Sequence, residues 1–255
     1  MVLSRRISLI TASGVFFIAL LFATVFPADR NIFQLLFLSI ITLALAFRVF
    51  GAKLIFLGVL TPLVYLVSTY FVFIKFPLIN VSFKLILCAV FSVFYYYLLL
   101  SVNAVLVSAM ESKSFPLLRV GKTVIYITTL FAAFLAYTII YKFEYIFIFY
   151  FLAVFVVTFL LSVEYFWSQR VGEGDSKISK PSFFESLIIS VFVSEVALAL
   201  SFFPTESFFR ALFASASFYA LLGLSESIIS HKLTRKMYVE YILILVSVFA
   251  ILVVA

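Results

Sequence analysis

Glu195 is the residue most placed to do chemistry in this chain. It lies near the centre of the apolar segment SFFESLIISVFVSEVALALSFFP, where no other acid reaches such a depth. An acid in the middle of a membrane span costs about 2.5–3.5 kcal/mol on insertion scales, so something must offset it. Two chemistries fit. The carboxyl can bind a proton or a cation in a transport cycle, or it can serve as a neutral hydrogen-bonding residue that joins helices. Just past the turn at Pro204 and Thr205 stands Arg210, the only base inside an expected span. It follows Glu206 by four residues, a favourable acid-before-base spacing. It could equally snorkel to the membrane surface. A reach back to Glu195 would cover about five residues, roughly 7 Å.

Other residues carry weaker signals. Ser186, Ser190, Ser194, Ala197 and Ser201 fall at helical offsets of 0, 4, 8, 11 and 15. Small residues on one stripe let a second backbone approach closely, and their hydroxyls can bond across the contact; a serine-lined polar pathway is the alternative. Ala216, Ala220, Gly223 and Ser227 form a similar stripe on the next helix. Tyr95, Tyr96 and Tyr97 point in three directions, so at least one hydroxyl faces the bundle. Tyr96 and Asn103 join Glu195 and Arg210 as candidates for an interhelical polar or ion site, and a sugar or lipid-headgroup contact is the sharper possibility. Ser182 and Glu185 have capping-box spacing, and Lys236 and Glu240 stand four apart. Glu164 and Glu226 are expected at span ends, in reach of water, and His231 at the interface. A phosphate-cradling Gly loop, a Ser-His-Asp set, HExxH and CxxC are all absent, so no catalytic residue is assigned. With one Cys, Cys88, and one His, neither a disulfide nor a metal site is expected, and no cofactor.

The elements that must position these residues follow from composition. The 255 residues are 66% hydrophobic and only 11% charged, against about a quarter charged in soluble domains. No water-facing surface can be built from this mixture, so lipid is the solvent. The net charge of +7 does not indicate nucleic acid, because the basic residues fall singly or in pairs at the ends of apolar runs. At about 20 apolar residues per crossing, the reading is all-α: a polytopic integral membrane helix bundle of about nine transmembrane helices forming one domain over 1–255. The spans are 7–26, 31–47, 54–74, 85–107, 123–141, 145–163, 183–203, 207–229 and 237–255.

Details of the chain support these limits. The first apolar run is too long for a signal-peptide core and lacks a small-residue cleavage pattern, so it is expected to be retained. Asp29 is a suitable N-cap for the second helix. Pro62 falls inside the third helix and predicts a kink there. Ser114 and Pro116 mark the start of the fifth. Glu164, Tyr165 and Trp167 have the composition of a headgroup-level exit from the sixth. The loop 168–181, with Gly172 to Ser176, is the longest.

Positive charge orients the bundle. With the N-terminus inside, Arg5, Arg6, Arg48, Lys53, Lys113, Arg119, Lys122, Arg170, Lys177, Lys180, Lys232, Arg235 and Lys236 are cytoplasmic; Arg30, Lys75, Lys84, Lys142 and Arg210 are external. That is 13 against 5, which predicts a cytoplasmic N-terminus and an external C-terminus.

The string Ser194 to Pro204, with Tyr219 to Leu224 and Pro116 to Arg119, resembles a family of uncharacterised multi-pass membrane proteins of small-genome, candidate-phylum bacteria. The resemblance covers about the C-terminal two thirds. It implies a bacterial cytoplasmic (inner) membrane and brings no activity or site residues. Two function classes follow from the residues: a non-catalytic subunit or anchoring partner of a cell-envelope complex, and a small ion- or proton-coupled transporter using Glu195. An integral membrane enzyme acting on lipid is the third. The bilayer is the first partner, with a membrane protein or a second copy of the chain as the next.

Overall fold

The computed structural model describes residues 2–25, 39–41, 44, 55–76, 81–111, 116–143, 146–170, 180–229 and 234–254. Eight helices are bounded among them: α1 (Val2–Val25), α2 (Ile55–Lys75), α3 (Val81–Glu111), α4 (Pro116–Lys142), α5 (Phe147–Arg170), α6 (Lys180–Leu200), α7 (Ser207–Ile229) and α8 (Arg235–Val254). No strand occurs among the described residues. Seven of these helices, α2 to α8, are long and apolar enough to cross a membrane; in α1 the apolar stretch Ile7–Phe22 is shorter. The expected span 31–47 lies largely outside the described residues, although 39–41 and 44 are helical. The Asp29 cap, Gly172 to Ser176 and His231 also lie outside them.

Helix starts and stops follow local chemistry. Pro116 opens α4, where its missing N–H costs nothing. The hairpin between α6 and α7 closes through a tight turn, with the Ser201 and Phe202 amides donating to Ala197 and Ala199 carbonyls at 3.1 and 3.2 Å. The Arg210 amide then donates to the Glu206 carbonyl at 3.3 Å, which starts α7.

α4 is the hub of the bundle. It packs against α2, α3, α5 and α7, while α1 lies against α2 and α3. On the α1–α3 side the core is aromatic. Phe16 sits 4.7 Å from Tyr95 between ring centres, and Tyr65 stacks on Tyr95 at 6.0 Å. The Tyr65 hydroxyl is satisfied by donating to the Phe91 carbonyl at 3.0 Å. Across α4 and α5, Tyr137 and Thr158 share a buried hydroxyl–hydroxyl bond of 2.7 Å.

The most extensive contact is between α5 and α6. Ser186, Ser190, Ser194 and Ala197 are all fully buried on α6. Their hydroxyls do not bond across the contact. Each donates to its own helix, Ser186 to the Ser182 carbonyl, Ser190 to Leu187 and Ser194 to Val191, all at 2.8 Å. The serines therefore contribute small volume with self-satisfied polarity. α8 is the opposite case. It leans on α7 and leaves most of its apolar side chains exposed; Tyr241 and Leu252 alone are buried on it. Gly223 on α7 makes that contact possible, because a Cβ there would run into the Tyr241 phenol.

α5 is longer than the sequence suggested. It runs to Arg170, so Glu164, Tyr165 and Trp167 are interior residues instead of a headgroup-level exit. The cause is visible at its end. Arg170 Nη2 donates to both Glu185 carboxylate oxygens on α6, at 2.9 and 2.8 Å. Its Nη1 donates to Ser182 Oγ, and Lys122 of α4 donates to the Gln169 carbonyl. Three helices are tied together there. Ser182 and Glu185 thus serve this ion pair instead of a capping box.

Candidate functional site

The polar residues fall into two groups, one on the outside of the bundle and one within it. The outer group centres on Glu195. Along α6 and the turn that follows, Phe184, Ile188, Phe192, Glu195, Ala199 and Phe202 are exposed and share one helical stripe, opposite the buried serines. Glu195 is thus an acid on an apolar outer face. It stands five residues short of the Leu200 end of α6, about 7–8 Å along the axis. That is nearer one end of the helix than the sequence reading placed it. Exposed Phe202 and Phe203 extend the apolar surface beyond it.

Arg210 does not join Glu195. It is half-buried, with its guanidinium 5.2 Å from the centre of the Tyr141 ring of α4, a cation–π arrangement. The Tyr141 hydroxyl in turn donates to the Ala197 carbonyl at 2.9 Å, linking α4 to α6. Arg210 Nε is buried without a hydrogen-bond partner, and no ion pair forms with Glu206 or Glu195. The expected helix-surface pair with Glu206 therefore gives way to aromatic stacking.

Of the three consecutive tyrosines, Tyr95 enters the core, Tyr96 is half-buried and Tyr97 is exposed. Tyr96 contacts Tyr97 edge-on and does not meet Glu195 or Arg210. Asn103 is half-buried on α3. Ser201 is half-buried; on α7, Ala220 and Gly223 are buried and Ala216 half-buried. Glu240 and Lys236 are both exposed and form no ion pair. Glu226 is exposed and accepts the Tyr165 hydroxyl. The four candidates Glu195, Arg210, Asn103 and Tyr96 are not brought to one place.

The inner group was not anticipated. Glu164 is 1% exposed. Its Oε2 accepts the backbone N–H of Thr61 in α2, and its Oε1 has no partner. Thr61 immediately precedes Pro62. A proline in a helix has no N–H to donate and crowds the carbonyl four residues back, so the ladder opens and a neighbouring side chain can enter. Glu164 takes that position, with the Thr61 hydroxyl beside it. A usable signal existed: under alternating topology, Thr61 is six residues from the start of α2 and Glu164 six from the end of α5. The two are therefore at matching depth. Ending the sixth span at Val163 concealed this.

A bundle of this kind, with apolar side chains outward and polar groups inward or self-satisfied, defines a polytopic helical membrane protein. Within that class, the chain belongs to the DUF5656 family, proteins of unknown function, whose family model matches residues 59–255. Comparison with curated proteins and with solved structures finds no match.

Proposed function

We propose that this protein is a non-catalytic membrane subunit of a bacterial cell-envelope complex, docking a partner transmembrane helix along the outer face of α6. The observation that carries this reading is Glu195. A carboxyl surrounded by Phe192, Ala199 and Phe202 on an outward stripe faces lipid whenever the chain is alone. That placement carries the insertion cost of about 2.5–3.5 kcal/mol, and no ion pair to a described residue offsets it. A partner helix with a lysine, arginine or amide side chain at the same depth would supply the missing donor. The flanking aromatic residues would supply apolar contact.

Charge complementarity sets the partner's chemistry. A second copy of the chain would bring acid against acid, whereas a cationic or amide-bearing helix brings opposite polarity. A transport role for Glu195 would require it to line an interior path, and its outward direction favours docking. The test is purification of the tagged chain from native membranes in mild detergent. A stoichiometric membrane partner bearing such a residue within a span is expected with the wild type and lost with Glu195→Leu. The Glu195→Gln chain should keep much of it, because the amide still hydrogen-bonds. A wild-type chain recovered alone, or equal recovery with Glu195→Leu, would overturn the reading.

A further inference from the structure

We propose that Glu164, held against the Thr61 amide beside Pro62, is a reversible proton-binding site inside the helix bundle. Three observations converge on it. The side chain is buried, at 1% exposure, between α5 and α2. One carboxylate oxygen is engaged by a backbone N–H and the other, Oε1, has no partner. The hydroxyl of Thr61 is buried beside the carboxyl and can donate to it. A carboxylate charge held in an interior by only a neutral amide and a neutral hydroxyl is costly. One proton on Oε1 removes that charge, and the Thr61 hydroxyl can then accept from the acid to which it otherwise donates. No bond of the chain breaks; the proton comes from water and returns to it.

Among the described residues, none offers a cation in its place. α2, α4 and α6 pack on α5, and their titratable groups near this depth are already engaged. Arg170 pairs with Glu185, and Lys122 donates to the Gln169 carbonyl. Tyr165 donates to Glu226 with the Tyr126 ring packed against it at a tilt, and Tyr65 donates to the Phe91 carbonyl. None of them pairs with Glu164.

The consequence is a link between proton occupancy and α2. An ionised carboxylate accepts an amide hydrogen bond about twice as strongly as a neutral acceptor. Loading the proton therefore weakens the hold on Thr61 N–H at the point where Pro62 already interrupts the ladder. Unloading restores it. This is distinct from the docking role of Glu195, which lies on another face of another helix.

The test is infrared difference spectroscopy of the full chain in lipid nanodiscs, titrated from about pH 5 to about pH 10. A protonated-carboxyl C=O band should disappear as pH rises, be missing from Glu164→Gln, and persist in Glu195→Gln. Should Glu164→Gln fail to fold, Thr61→Val serves: the band should remain but shift in frequency, because the hydroxyl beside it is gone. A spectrum with no titrating carboxyl band, or one unmoved by both substitutions, overturns the proposal. So does a band that responds to sodium at fixed pH and not to pH.

Discussion

At the scale of single residues, two glutamates in the same bundle illustrate what burial decides. Glu195 was conspicuous in the sequence because it interrupts an apolar run, and periodicity then predicts which stripe it shares. What periodicity cannot predict is which stripe faces protein, since serines and apolar residues are both compatible with either side. Glu164 was inconspicuous because it follows a complete span, 145–163, and precedes tyrosine and tryptophan, the usual composition of an interface. Only the contact with Thr61 marks it out. Removing that contact gives a residue-scale prediction: Glu164→Leu leaves the Thr61 amide unpaired in the interior, where Pro62 has already weakened the ladder. We expect a loss of about 1–3 kcal/mol, read as a lowered thermal midpoint in detergent. Glu195→Leu should leave the isolated chain as stable as wild type or more so, since an acid leaves an apolar face. A destabilised Glu195→Leu chain, measured alone, would mean that the carboxyl has an internal partner.

At the scale of helices, the contact between α5 and α6 depends on small volume. Ser190→Leu or Ser194→Leu forces a larger side chain into a closed interface, at a cost of about 1–3 kcal/mol. Ile188→Leu, on the exposed face of the same helix, should change stability by less than about 0.5 kcal/mol. Thermal unfolding in detergent separates them, and equal tolerance would place the serine stripe outside the packed interface. The regular spacing of these serines was legible in the sequence; their bonding was not, because a serine satisfied by its own helix reads the same as one reaching across. The α7–α8 contact has its own test. Gly223→Ala drives a methyl group into the Tyr241 phenol, and the expected loss of about 1–3 kcal/mol should be smaller in combination with Tyr241→Leu, which clears the space. Independent, additive effects would contradict that geometry. The length of α5 escaped the sequence for a tertiary reason. Its last turn is held by Arg170 with Glu185 and Ser182, partners more than ten residues away that no local pattern announces.

At the scale of the whole molecule, composition and the spacing of apolar runs were enough to specify an all-helical membrane bundle, and charge asymmetry predicts a cytoplasmic N-terminus. A reporter active only after export should be active when fused at Ala255 and silent when the chain is truncated after Lys236; the reverse would overturn the cytoplasmic N-terminus. The assembly is less legible, because an exposed face looks the same in sequence whether lipid or protein covers it. Docking at Glu195 requires protein to cover that face of α6. Photo-crosslinking in native membranes tests it most directly, with a photoreactive amino acid at Phe192 and, as a control, at Val246 on exposed α8. A docked partner gives a discrete adduct from position 192 whose partner carries a lysine, arginine or amide within a span, lost when Glu195 becomes leucine, with only lipid adducts from 246. Lipid adducts alone from both positions, or an adduct at twice the chain's own 28.9 kDa, would contradict it.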